Sequence, residues 1–249
     1  MFKKLILTTL ALMFAASLSA QTVDEIIAKN IEAKGGYDKL KSIKTMQATG
    51  QFTAQNGMVQ GTITLYNKRP NKMRMNMDIQ GQTMVQAFDG TTGWMIIPFM
   101  GTTDPQRMPE EQVKSMKSNA DMDGVLVDYK KKGHKVELLG KEELEGTDVY
   151  KLKVTRKDSS VQYLYLDSDY YIELKMSTVI KSKGTEQMFD TYLSDYKEVD
   201  GTMVPFAIEQ KKGDMLLSQI TLSEVKYNVD IDDSYFAMPE KKKEPASGQ

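Results

Sequence analysis

The stretch Lys68–Asp78 reads KRPNKMRMNMD, and in it Met73, Met75 and Met77 alternate with polar side chains. A period of two is the period of a β-strand, so the three methionines share one face of a sheet. The opposite, polar face is expected to be wet. Valine and isoleucine fit a pleated surface better, whereas methionine is unbranched and adapts to variable apolar partners. The methionine row is therefore either a fixed core or the lining of a surface that holds an apolar ligand.

Helical segments are predicted at three places in the chain. Thr22 to Glu25 fit a capping box at the start of a helix with an apolar stripe, and Gly35-Gly36 end it. A shorter helical turn is predicted from Tyr37 to Lys41. A second helix is predicted near 109–118, where Pro109 is followed by two glutamates.

The rest of the chain has the strand period. From Ile43 to Ile97, and again after Asp121, short alternating runs are separated by turn residues such as Asn56-Gly57 and Asp89-Gly90. The count is about 11 strands, and a wide antiparallel sheet of that size tends to roll up. The sequence therefore predicts a mainly β protein: an incomplete antiparallel β-barrel with a helical lid over a roomy apolar space.

The N-terminal segment of the chain predicts export. Lys3 and Lys4 precede an apolar run from Leu5 to Leu18, which is typical of a secretory signal peptide, with cleavage expected after Ala20. A membrane anchor is the alternative, although the run is short for a span of about 20 residues. We expect a signal peptide at 1–20, one domain at 21–239 and a disordered, charged tail at 240–249.

Composition excludes several classes of function. The formal net charge is −1, which argues against a nucleic-acid surface. There is no cysteine and one histidine, His134, so no thiolate nucleophile, disulfide or cysteine-based metal site exists. No nucleophile elbow, zinc-protease or phosphate-loop motif is present. We expect no enzyme activity, no cofactor and no metal.

Three segments resemble one family in the order in which that family carries them. LYNKRPN at 65–71, FDGTTGW at 88–94 and SYFAMP at 234–239 resemble motifs of the periplasmic lipoprotein carrier family LolA. The segment from Met95 to Phe99 matches the start of that family's lid region. The chain is longer and carries GGYDKL at 35–40, which indicates a divergent member.

The resemblance implies a LolA-like half-barrel that binds acyl chains of lipoproteins, or other lipids, and carries them across the periplasm toward the outer membrane. The partners it implies are an acylated lipoprotein or lipid cargo, an inner-membrane releasing complex and an outer-membrane acceptor; we expect a monomer. Arg69 matches the family's arginine that hydrogen-bonds the lid backbone and favours the closed state. Nine of the 18 methionines lie between Met73 and Met122, the segment of the first sheet half and the lid. The residues expected to line the lipid cavity are Met73, Met75, Met77, Met84, Trp94, Met95, Ile97, Phe99 and Met116.

Two alternatives stay open. The first is a lipid- or lipoprotein-sensing module of the same fold, which signals to a partner without carrying cargo. Thioethers also bind Cu(I), so Met73, Met75 and Met77 could form a copper site. Same-face residues on one strand are about 6.8 Å apart, however, which is wide for converging sulfurs.

Overall fold

The computed structural model describes residues 21–182 and 185–240. These residues form an antiparallel sheet and three α-helices, with the turns that join them. The predicted signal peptide and the predicted tail beyond residue 240 lie outside these residues. The helices are α1 (Val23–Ala33), α2 (Tyr37–Ser42) and α3 (Glu110–Asn119). The strands are β1 (Thr45–Ala54), β2 (Val59–Lys68), β3 (Lys72–Ile79), β4 (Gln82–Phe88), β5 (Gly93–Ile96), β6 (Gln106–Arg107), β7 (Lys135–Leu144), β8 (Thr147–Thr155), β9 (Val161–Asp167), β10 (Glu173–Ser182), β11 (Thr185–Val199), β12 (Thr202–Lys212) and β13 (Met215–Tyr227).

The sheet has the strand order β6-β5-β4-β3-β2-β1-β13-β12-β11-β10-β9-β8-β7. All neighbours are antiparallel, and β6 and β7 form the two edges, so the sheet does not close. The incomplete antiparallel barrel is therefore confirmed. It has thirteen strands rather than about 11, because the sequence pattern does not identify β6, β7 or β11. The reason is visible in their burial: β7 has one buried residue and β11 has none, so neither shows a clear apolar alternation.

The sequence signals that predicted the starts of α1 and α3 are both confirmed. The backbone N–H of Glu25 donates to Thr22 Oγ1 at 3.3 Å, and the N–H of Thr22 donates to the Glu25 carboxylate at 2.8 Å. These two bonds form a complete capping box at the start of α1. Pro109 precedes α3, whose first turn is acidic as expected.

The strand register confirms that Met73, Met75 and Met77 share one face of the sheet. Met77 lies opposite Ile63 on β2 and Met84 on β4, and residues that pair directly across a sheet share a face. We call this the inner face, because α1 and α3 pack on it.

Helices cover the two ends of the inner face. Ile26 and Ile27 of α1 pack against buried side chains of β7–β9, and Met116 of α3 packs against Phe88 of β4. The segment 120–133 runs between these ends: Ala120 belongs to the cluster under α3, and Leu126 to the cluster under α1.

Candidate functional site

The middle of the inner face is lined by apolar side chains that come from strands alone. Its buried members are Ile63, Met77 and Ile79. Packed against them are six partly buried residues: Phe52, Val59, Leu65, Met75, Met84 and Ile220. We call these nine residues the central inner surface. The cluster contains no helix residue, so the partly buried members keep apolar surface available for an apolar ligand.

The methionine row is divided between this surface and the core under α3. Met75 and Met77 belong to the central inner surface, whereas Met73 packs with the cluster of Phe88, Met108, Met116 and Ala120. Met95 also packs with that cluster, so α3 covers Met73 and Met95 with its own Met116 among the contacts. Met108, which was not among the predicted lining residues, is buried there too. Met73 therefore belongs to the core under α3, whereas Met75 is a partly buried member and Met77 a buried member of the central inner surface.

The expected place of Trp94 in the cavity is corrected by the register. Trp94 pairs with Ala87, and Ala87 pairs with Arg74, so Trp94 lies on the outer face of the sheet. Its side chain is fully buried, and the indole Nε1–H donates to the carbonyl of Phe236 at 2.8 Å. Successive side chains of a strand point to opposite faces of the sheet, and the neighbouring Met95 lies on the inner face.

The polar side of the KRPNKMRMNMD stretch was expected to be wet, but Arg74 and Asn76 are partly buried under residues 228–240, the C-terminal segment, whereas Asp78 is exposed. Arg74 Nη1 donates to the carbonyl of Tyr235 at 2.7 Å, and Asn76 Nδ2 donates to the Tyr235 hydroxyl at 3.1 Å. The Arg74 guanidinium lies 4.2 Å from the ring centre of Tyr235 and 5.4 Å from that of Trp94. Burial, and then the neighbouring Tyr235, raise the pKa of Tyr66 to about 12. This side of the strand therefore holds the C-terminal segment in place.

Two other predicted lining residues lie apart from the clusters of the inner face. Ile97 is partly buried and immediately precedes the 3₁₀ helix Pro98–Met100. Phe99, within that 3₁₀ helix, leaves 50% of its side chain exposed. The structure therefore does not bring Ile97 and Phe99 together with the methionine row.

Arg69 joins three segments at one end of the half-barrel. Its Nε donates to the carbonyl of Ile43 at 2.6 Å, and its Nη2 donates to the carbonyl of Leu40 at 2.9 Å. The same Nη2 forms an ion pair with Asp123 Oδ1 at 2.6 Å. Leu40 is in α2 and Asp123 is in the segment that follows α3. The arginine thus binds backbone carbonyls of the N-terminal helical segment and a carboxylate next to the lid helix.

Asp123 has the most buried charged side chain of this network, with 8% of it exposed. Burial alone would raise its pKa, but the hydrogen bonds from Arg69 and Lys41 outweigh that effect and hold the pKa below its usual value. Lys41 Nζ lies 2.5 Å from Asp123 and 2.8 Å from Asp128. No pattern in the sequence predicted Asp123, because an aspartate after a helix is common in any turn.

Two further observations concern the described residues only. In 21–182 and 185–240, no group of three or more His, Cys, Asp or Glu side chains is arranged to hold a metal ion. Within the same ranges, no helix has the length and apolar character needed to cross a membrane.

The fold is LolA-like, as comparison with solved structures shows. A LolA superfamily protein from Nitrosomonas europaea superposes with a TM-score of 0.61 at 16% identity, covering 88% of this chain and 98% of that one. A DUF1329 family protein from Desulfovibrio piger gives 0.60 at 13% identity, with 86% and 97% covered. An outer membrane lipoprotein-sorting protein domain from Vibrio parahaemolyticus gives 0.57 at 12% identity, with 85% and 94% covered.

Sequence comparison assigns the chain to one family. A family model described as "Uncharacterized protein" matches residues 73–240, which is more than half of the chain, and the chain belongs to that family. The match begins at the methionine row and ends with the C-terminal segment. No curated protein sequence is significantly similar to this chain.

Proposed function

We propose that the protein is a carrier that binds acyl chains on the central inner surface. The observation that carries the proposal is the row of partly buried apolar side chains, including Phe52, Met75 and Met84, in a cluster without helix residues. Acyl chains offer no hydrogen bonds to recognise, so an adaptable apolar surface with several methionines suits them. Burial of each CH₂ contributes about 0.8 kcal/mol, and a chain of ordinary length therefore binds without polar contacts.

The proposed setting is the periplasm, reached with the predicted signal peptide. The cargo is an acylated lipoprotein or a lipid, received from an inner-membrane releasing complex and delivered to an outer-membrane acceptor. The role is not catalytic and uses no cofactor or nucleic acid, and the carrier acts as a monomer. The likeness of the fold to a LolA superfamily protein and to a lipoprotein-sorting domain supports this setting.

The first test is mass spectrometry of what co-purifies with the protein. The chain is exported with its own signal, purified gently from the periplasm, and measured in its native state and after solvent extraction. Bound lipoprotein would support the carrier role in full, and bound free lipid would support lipid binding with a transport or sensing role. A protein that is empty and also refuses a dansyl-labelled fatty acid would refute the proposal.

A pair of variants on one strand tests the surface itself. Phe52→Glu puts a charge on the inner face of β1, and Gln51→Glu puts the same charge on the exposed outer face one residue away. Because burying a charge without a partner is costly, we expect Phe52→Glu to weaken fatty-acid binding by at least tenfold. Gln51→Glu should bind as the wild type does. Equal binding by both variants would show that the acyl chain does not lie on this surface.

Replacing Met73, Met75 and Met77 with leucine distinguishes Cu(I) binding from acyl-chain binding. Leucine keeps most of the apolar volume and removes the thioether ligands. On the proposed function, acyl binding survives in this variant. Cu(I) binding by the wild type that disappears in the variant would favour the copper site.

A further inference from the structure

A cleft of about 340 Å³ lies between α3 and the ends of β8–β10. It is separate from the central inner surface and shares no residue with it. Residues of α3 line one side, and the β8–β9 turn with the adjoining strand ends lines the other. Its volume is within the range of ligand pockets, about 300–1,000 Å³.

Arg156, in the β8–β9 turn, is the notable group in this cleft. Its Nη1 donates to the Ser118 hydroxyl at 2.5 Å, and its Nη2 is 3.3 Å from Gln162 Oε1. Both partners are neutral. Among the described residues, no carboxylate forms an ion pair with this partly buried guanidinium. An arginine has five N–H donors in a fixed fork, so several donors remain for a ligand.

The carboxylates at the cleft do not neutralise Arg156 by contact. Asp158 accepts hydrogen bonds from the backbone N–H of Ser160 at 3.0 Å and from its hydroxyl at 2.6 Å, and it acts on Arg156, as Asp121 does, only through space. Glu111 and Lys114 both lie on exposed positions of α3 and offset one another in charge. A partly desolvated arginine without a bound carboxylate favours an incoming oxyanion, which it can hold with two parallel hydrogen bonds.

An apolar path connects the cleft to the central inner surface. Thr178 of the cleft pairs with Phe189 on β11, which places Phe189 on the inner face. Further along the same face of β11, Leu193 pairs with Ile208, and Ile208 pairs with Ile220 of the central inner surface. Phe189, Leu193 and Ile208 are only partly buried. A long apolar chain can therefore lie across the inner face with its polar end at Arg156.

We propose that Arg156 and the cleft around it bind the oxyanion head, a phosphate or a carboxylate, of the lipid whose acyl chain lies on the central inner surface. This inference rests on the proposed acyl-binding function and adds the chemical class of ligand. The head group replaces the hydroxyl of Ser118 as the partner of the guanidinium. Because Ser118 belongs to α3, occupation of the cleft also loosens one contact between the lid helix and the sheet.

The test is displacement of a dansyl-labelled fatty acid from the full chain by three dodecyl amphiphiles below their micelle concentrations. We expect dodecyl phosphate and dodecanoate to displace the probe at concentrations about tenfold lower than dodecyl maltoside, the factor that a charge-assisted hydrogen bond supplies. In Arg156→Gln that preference should vanish, while dodecyl maltoside still binds. Arg156→Lys, which keeps the charge without the fork, should retain part of it.

Lys157→Gln is the matched control, because Lys157 is the exposed cation next in the chain and does not line the cleft. It should keep the full preference. Equal affinity of the wild type for all three amphiphiles, or a preference that survives in Arg156→Gln, would overturn the inference while leaving acyl binding intact. Displacement by millimolar inorganic phosphate alone would show a site for small anions rather than for a lipid head. If none of the three amphiphiles displaces the probe, the acyl-binding function itself fails.

Discussion

Replacement of Arg69 by methionine should destabilise the end of the half-barrel where α2 and the segment after α3 meet the sheet. Methionine keeps much of the side-chain length and removes every donor. The carbonyls of Leu40 and Ile43 lose a charged donor, and Asp123 loses one of its two cations but keeps Lys41 at 2.5 Å.

The magnitude follows from burial. The Arg69 side chain is 19% exposed and that of Asp123 is 8% exposed, so solvent replaces the lost partners only in part. Breaking a buried ion pair by removing one partner costs about 3–5 kcal/mol, and a hydrogen bond to a charged group contributes about 1.5–3 kcal/mol. These contributions do not add, and Lys41 partly compensates at Asp123. We expect the free energy of unfolding to fall by about 3 kcal/mol.

Urea denaturation followed by circular dichroism measures this change, and hydrogen exchange locates it. Exchange should accelerate in α2 and in residues 120–133 more than in β8 and β9. Arg107→Met is the matched control, since Arg107 is exposed on the two-residue strand β6, and should change stability by less than about 0.5 kcal/mol. If Arg69→Met were as stable as this control, Arg69 would not be holding these segments together.

Three further predictions concern other parts of the molecule. Because Trp94 lies on the outer face, a brominated fatty acid bound to the inner face should not quench Trp94 fluorescence beyond the collisional quenching by unbound fatty acid. Strong quenching that saturates as the site fills would contradict this placement. Asp123 has a depressed pKa in the folded protein, so its stabilisation is complete above about pH 4 and is lost as the pH falls through the folded value. Denaturation measured from about pH 6 down to about pH 3 should therefore show a shallower loss in Asp123→Asn than in the wild type, and parallel curves would refute the role of this carboxylate. Thr22→Ala removes the side-chain half of the capping box and should cost about 1 kcal/mol in thermal or urea unfolding, whereas Thr22→Ser should cost little.

Part of the fold was predictable because local periodicity reports which side chains are buried. The alternation around Met75, the capping box at Thr22 and the proline before α3 each act over a few residues, and all three are confirmed. The strands β7 and β11 escaped prediction for the same reason. Their side chains are mostly partly buried or exposed, so no apolar pattern marks them.

The candidate site was predictable only in part, because a period of two assigns residues to faces but does not say what covers each face. Met75 and Met84 lie on the expected surface. Trp94 lies on the opposite side, under a C-terminal segment about 140 residues away in the sequence. Arg156 and Ser118 showed no motif, since they meet only when α3 folds across the open sheet.

The sequence by itself determined the type of elements, the alternation of Met73, Met75 and Met77, and the family resemblance, because these depend on neighbouring residues. Only the tertiary structure decided that Met73 packs under α3 while Met75 stays partly buried on the central inner surface. It also decided that Arg74 and Asn76, on the polar face of β3, are partly covered by Tyr235. The physical reason is that burial depends on contacts between segments distant in sequence, and those contacts form only when the sheet has curled and the helices and C-terminal segment have packed onto its two faces.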